Sequence, residues 1–194
     1  MAVPTRERAA HMARRLLREA VARGVDAPER LDEAFRYAME PRHRLLDDDH
    51  DPRYLHPGRT ALVLMGDGGV VDGSWIGAAV LAETASPELA WTPRGEAPEW
   101  LRGSWTRARE VPGLEDPRLA ERLVTAVPEA ATLALSEYLD QLRHLHLWAG
   151  EDRVIRAARA AEEILLPVAR RSTPVLARRF EWWVRRVGRG FSAS

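Results

Sequence analysis

The sequence predicts an all-α fold, and three observations carry that prediction. Apolar residues recur at helical spacing through most of the chain, helix start and stop residues bracket the periodic runs, and no segment alternates like a half-buried strand. The best strand candidate, Ala61 to Met65, follows a Pro57 suited to a helix first turn, and its flanking spacing favours helix. At 194 residues the chain fits one domain with helical extensions. We divide it into an N-terminal helix over 1–26, a helical core over 27–171, and a basic C-terminal helix and tail over 172–194.

The spacing predicts a first helix over 5–23, on Ala9, Ala13, Leu16, Leu17, Ala20 and Val21, with Gly24 placed to stop it. A second begins near Ala27-Pro28, carries Leu31, Ala34, Phe35 and Ala38, and is expected to end at Pro41. The Asp-rich run from Asp47 to Pro52 reads as loop. Pro57 opens a helix that ends at Gly66-Asp67-Gly68-Gly69, a cluster of turn residues. Asp72 is placed to cap the next, through Trp75, Ile76 and Ala78 to Leu81. Ser86-Pro87 signals a short helix.

Residues 92–117 are punctuated by Pro93, Gly95, Pro98, Gly103, Pro112, Gly113 and Pro117 and read as irregular. Trp91, Trp100 and Trp105 in or beside this stretch predict that it packs down. Helices near 118–126 and over 129–148 follow, then an amphipathic one over 152–171. Ser172-Thr173-Pro174 breaks that helix and caps a last one to Val187. On it Trp182 and Trp183 point about 100° apart, so at least one is expected to pack.

Composition removes several function classes. The chain has no cysteine, so disulfides, thiolate zinc sites and cysteine nucleophiles are excluded. Any metal would be held by His, Asp or Glu, which suits Mg2+, Mn2+, iron or a carboxylate-rich zinc site. Lys+Arg and Asp+Glu both number 29, which argues against an extended nucleic-acid surface. The end of the chain, from Arg178-Arg179 through Arg185-Arg186 to Arg189, is nevertheless basic. No window approaches the roughly 20 apolar residues of a membrane span, and no apolar signal region opens the chain, so a cytoplasmic protein is expected.

There is no phosphate loop ending in Lys-Ser/Thr, no Gly-x-Ser-x-Gly elbow and no His-Glu-x-x-His helix. One constellation stands out by order. Tyr54-Leu55-His56-Pro57 stands at a helix start; Ala78-Ala79-Val80-Leu81-Ala82-Glu83-Thr84 follows, and Tyr138-Leu139-Asp140-Gln141-Leu142-Arg143-His144-Leu145 lies on a long helix. This order resembles the HD-domain metal-dependent phosphohydrolases, most closely the hydrolase domain of the RelA/SpoT-type guanosine tetraphosphate enzymes. That family reads Tyr-x-x-His-Pro, then Ala-Ala-Leu-Leu-His-Asp-Thr, then Leu-Ala-Asp-Arg-Leu-x-Asn-Leu. Ala38 to Arg44 looks like its Ala-x-x-x-His segment, and Ala161 to Arg171 like its helix ending in Pro-Leu-Ala. The resemblance spans residues 30–171.

The resemblance implies an HD-type helical bundle. It also implies a cation held by two imidazoles and two carboxylates, polarising a phosphate and acidifying bound water. His56 matches the first ligand and Asp140 the last. The middle pair departs: the family's His-Asp falls on Ala82-Glu83, so Glu83 alone keeps a carboxylate, which would serve as metal ligand and catalytic group. His144, one turn after Asp140, is a replacement ligand. Arg44, Arg53 and Tyr54, in and beside the matching segments, are assigned to substrate.

Plain structural roles stand beside these. His56 reads equally as a residue opening a helix, and Glu83 as a surface residue on a last turn. By periodicity Asp140 lies with Ser136, Glu137 and His144 opposite Leu135, Tyr138, Leu142 and Leu145, a solvated polar face; the resemblance turns that face toward a cleft. The expected function is a degenerate, non-catalytic HD-like protein without a cofactor. It would bind a guanine nucleotide or a protein partner, or self-associate through its terminal helices. Two alternatives are a divergent hydrolase of guanosine tetraphosphate or a related nucleotide, with Mn2+ or Mg2+ on His56, Glu83, Asp140 and His144, and a structural helical interaction module.

Overall fold

α1 (Glu7–Ala22) shows at once how the apolar periodicity is used: Ala9, Met12, Leu16 and Ala20 form one stripe, and these are its buried residues. In this computed structural model, which describes residues 6–46, 49–83, 99–145, 147 and 149–188, the described chain is helical with no strand. It divides into two compact units, Met1–Glu110 and Val111–Ser194. Gly24 follows α1 at φ +69°, a left-handed conformation that glycine adopts without steric cost, so the helix stops where the sequence predicts.

α2 (Glu29–Leu45) runs through Pro41 instead of ending there. An interior proline costs a helix about 3 kcal/mol or more. Burial offsets that cost: Pro41 and Arg42 are both buried, and the Arg42 Nη1 donates to the Ala38 carbonyl at 2.9 Å. α3 (His56–Gly66) begins one residue before Pro57. α4 (Gly73–Leu81) is capped by Asp72, whose Oδ1 accepts from the Ser74 amide at 2.7 Å. α4 packs against α2 and α3 and is buried from Ile76 to Leu81, as a helix apolar on all sides must be.

The stretch read as irregular is helical over residues 99–110. A 3-10 turn over Glu99–Leu101 leads into α5 (Arg102–Glu110), which packs on α4. Its buried stripe is Leu101, Ser104 and Ala108. Two of those residues are small, which hides the stripe from a reading of hydrophobicity, and Gly103 mimics a break. Trp100 donates to Glu33 at 3.0 Å and Trp105 meets Tyr37 edge-on at 6.1 Å, so both pack as predicted. Trp91 and the Ser86-Pro87 helix signal lie outside the described residues.

The second unit contains α6 (Leu119–Thr125), α7 (Pro128–Leu145) and α8 (Glu151–Ala160). α8 continues through a π turn (Ala161–Leu165) into α9 (Leu166–Ser172). Thr173 then breaks the helix and caps α10 (Pro174–Trp183), its Oγ1 accepting from the Leu176 amide at 3.1 Å. α10 folds back along α9 and ends in a second π turn, Val184–Gly188. α7 packs on α6, α9 and α10, and its Tyr138 hydroxyl donates to the Pro112 carbonyl. Among the described residues no helix is long and apolar enough to cross a membrane.

Candidate functional site

In the first unit the chemistry gathers around Arg42. It sits at the end of the inner stripe of α2, after Leu31, Ala34, Phe35, Ala38 and Met39, and its side chain is fully buried. A buried guanidinium must spend its donors, because an unpaired buried charge is costly. Nη1 goes to the Ala38 carbonyl, Nε reaches the Arg53 carbonyl at 3.4 Å, and Nη2 binds the Glu83 carboxylate as an ion pair. Glu83 lies just past the end of α4, with its side chain 12% exposed. The residue read from sequence as metal ligand and catalytic group is thus the counter-ion of an arginine.

The residues assigned to substrate have separate partners. Arg53 forks onto Asp51, with Nε at 3.0 Å and Nη2 at 2.7 Å. That bond holds the Asp51 carboxyl below its ordinary range and the Arg53 pKa above its own. Arg44 is exposed and faces Glu40 at 3.7 Å. Tyr54 is buried, with its hydroxyl 2.8 Å from His43 Nδ1 and the Arg6 guanidinium 5.3 Å above its ring. Burial pushes the Tyr54 pKa up to about 12. Burial, helped by Arg6, holds the His43 imidazole below its ordinary value. Tyr54 therefore keeps its proton at neutral pH, and its hydroxyl and the His43 ring share a hydrogen bond. His56 is buried at the start of α3, 3.4 Å from the Thr60 hydroxyl one turn on.

Asp140 and His144 belong to α7 in the second unit. The face that periodicity marks as solvated is buried over most of its length: every residue from Ala131 to Asp140 is buried, and His144 is partly exposed. Periodicity identifies an apolar side but says nothing of what tertiary packing lays on the polar one. Several polar groups there are satisfied within the helix. Thr132 donates to the Pro128 carbonyl, Ser136 to the Thr132 carbonyl, and the Gln141 amide to Glu137 Oε1. His144 Nδ1 lies 2.8 Å from the Asp140 carbonyl and 3.7 Å from its Oδ1. A carbonyl only accepts, so Nδ1 carries a hydrogen in this contact.

Sequence reasoning missed Arg42 and His43, both on α2. The signal was present, since Arg42 follows Ala38 by four and Leu31 by eleven, on the apolar stripe. Ending the helix at Pro41 concealed it.

In the first unit the carboxylate nearest the centre is already engaged. Glu83 already holds a fixed positive charge, and within either unit no three described His, Asp or Glu side chains are grouped to hold a metal. No family model, no curated protein and no solved structure matches this chain.

Proposed function

We propose that this chain is a degenerate HD-like protein that acts by binding a nucleotide or a protein partner, and not by metal-dependent hydrolysis. The buried Arg42–Glu83 ion pair carries this reading. Hydrolysis of the family's type needs a cation with an open position, where bound water is acidified. A guanidinium supplies positive charge but has no coordination position, and it holds its proton too tightly to act as an acid. Arg42 stands four residues after Ala38, where the family's Ala-x-x-x-His pattern has its histidine, and Ala82 replaces a second imidazole. An internal cation then serves the carboxylate that a metal served.

The test is a thermal-shift scan of the full chain with MnCl2, MgCl2 and guanine nucleotides. Neither metal is expected to move Tm, and Mn2+ should support no nucleotide hydrolysis. A metal held at 100 times its Kd would add about 2.7 kcal/mol of stability, and a Mn2+ shift of that size would overturn the reading.

The hydrolase alternative keeps one favourable observation. The Nδ1–H of His144 on a backbone carbonyl is the outer bond that a metal-ligating imidazole makes, and in the neutral ring it leaves Nε2 as an acceptor. That alternative requires Mn2+-dependent turnover that Asp140→Ala abolishes with little loss of stability.

A further inference from the structure

Between α1 and α2 the first unit carries a groove of about 890 Å³. Its floor is apolar: Ala10, Ala13 and Leu17 of α1 and Phe35 and Met39 of α2 line it. The alanines leave the space between the helices unfilled, and Phe35 and Met39, both 1% exposed, close it from below. Leu17 and Val21 stand exposed four residues apart on one side of α1, so the apolar wall runs on past the groove. On α2 the lining runs from Asp32 to Arg44, a length of about 18 Å, or about three turns of helix. The outer side is open to water, where Arg14, Leu17, Arg36 and Arg44 are exposed.

The two rims differ in charge. On α2, Asp32 pairs with Arg36 and Glu40 faces Arg44 at 3.7 Å, each one turn apart, so this rim is neutralised within its own helix. On α1 the rim is Arg14, with Arg18 one turn further on, and both are exposed. Among the described residues neither of these guanidiniums has an acidic partner. Glu19, the acid nearest to them along α1, pairs with Arg23 at 3.5 Å. One rim of an apolar groove therefore carries positive charge that its own fold does not answer.

We propose that this groove docks an acidic amphipathic helix of a partner protein, its apolar stripe on the floor and its carboxylates on Arg14 and Arg18. A helix laid in a groove sets side chains at i, i+3, i+4 and i+7 on the floor and keeps its other face in water, which suits a groove that is open on one side. Charge complementarity with the α1 rim selects an acidic partner over a basic one. A second copy of this chain fits less well, because a twofold contact matches a patch to itself and would set positive excess against positive excess. A membrane surface fits less well too. The main apolar stripe of α1, Ala9, Met12, Leu16 and Ala20, is buried in the fold, and a concave groove inserts nothing into a bilayer. The proposal rests on the binding reading above for its kind of function but on neither residue of its ion pair, since Arg42 and Glu83 do not line the groove.

The test is fluorescence anisotropy of three labelled peptides of about 18 residues, titrated with the full chain in EDTA. The first peptide carries leucines at helical spacing with glutamates and alanines between them. The second has lysine for every glutamate, and the third is the first in scrambled order. Without divalent ions a failure here leaves the metal test above untouched. The acidic amphipathic peptide should bind about tenfold or more tighter than the other two. Arg14→Glu combined with Arg18→Glu should weaken it about tenfold and let the basic peptide bind in its place. Leu17→Ala should weaken it about threefold to tenfold. The same charge reversal on α10, Arg178→Glu with Arg185→Glu, should change nothing. All these side chains are exposed, so each variant should keep the parent Tm. Four results would each overturn the proposal: no peptide binding up to about 1 mM; acidic and basic peptides binding alike; acidic binding indifferent to reversal on α1 or equally lost by reversal on α10; or, without peptide, a dimer or attachment to phosphatidylserine vesicles that Leu17→Ala removes.

Discussion

The Tyr54 hydroxyl lies 2.8 Å from His43 Nδ1, within hydrogen-bond distance. Burial and the nearby Arg6 guanidinium both disfavour the charged imidazole in the folded state. The consequence is a pH-dependent stability of known sign. The folded pKa of His43 lies below its ordinary value, chiefly through burial. The unfolded chain therefore binds more protons, and the stabilisation is present above about pH 6.5 and lost as pH falls toward the folded value. Urea midpoints should fall between about pH 7.5 and pH 5.5, and His43→Gln should flatten that slope. The carboxylates Asp51 and Asp72, with lowered pKa values, act in the same direction but in a window below about pH 4. An NMR titration placing His43 at or above about 6.5 would sink this account.

Arg42 and Glu83 form a pair in which each partner makes the other tolerable. Removing one side of a buried ion pair costs about 3–5 kcal/mol, because the remaining charge is left without compensation. Glu83→Ala should lose stability on that scale in urea unfolding. Arg42→Met combined with Glu83→Leu should be near neutral or more stable, since apolar replacements of similar volume avoid the desolvation of both charges. A Glu83→Ala loss below about 1 kcal/mol, the value of an exposed pair, would show that burial does not govern this bond.

α4 and α5 approach closely because Gly77 has no side chain. A Cβ there would meet Ser104 Oγ at 2.8 Å and Ser104 Cβ at 3.3 Å. Ser104 is buried and its hydroxyl already donates to the Ser74 carbonyl at 2.8 Å, so it has little freedom to turn away. Gly77→Ala should destabilise by about 1–3 kcal/mol through overpacking, more than the roughly 1 kcal/mol that alanine gains in a helix. Ser104→Ala removes the closer clash, so the double variant should beat the sum of the singles by about 0.5 kcal/mol or more. Strict additivity would mean that the two helices part without strain.

The fold was legible because it rests on local signals. Helix periodicity, Gly24 as a stop, and Asp72 and Thr173 as caps are short-range chemistry, and each is where the sequence places it. The two misreadings, a stop at Pro41 and a loop over 99–110, occur where tertiary burial overrides a local breaker. The candidate site was legible in part. His56 opening α3 and Glu83 just past α4 follow from element boundaries, but the partner of Glu83 does not. Arg42 and Glu83 are 41 positions apart, and only packing of α2 on α4 brings them together. The burial of Asp140 was hidden for the same reason, since a helical wheel ranks faces by polarity and not by cover.

Adjacent tryptophans on α10 offer a direct comparison of one residue type in two environments. Trp183 is 2% exposed and its indole N–H donates to the Leu142 carbonyl, while Trp182 is 59% exposed. Phenylalanine keeps most of the apolar area at either position but deletes the N–H. At Trp183 the change leaves a buried carbonyl that has lost a donor, together with a gap where the larger ring lay. The carbonyl alone costs about 1–3 kcal/mol. At Trp182 the same change should stay within about 0.5 kcal/mol, the usual range for surface substitutions. Urea unfolding of the two variants, followed by far-ultraviolet circular dichroism because indole fluorescence changes with the substitution itself, should give a large loss for Trp183→Phe and almost none for Trp182→Phe. Equal losses would mean that the Leu142 bond does not anchor α10 to α7.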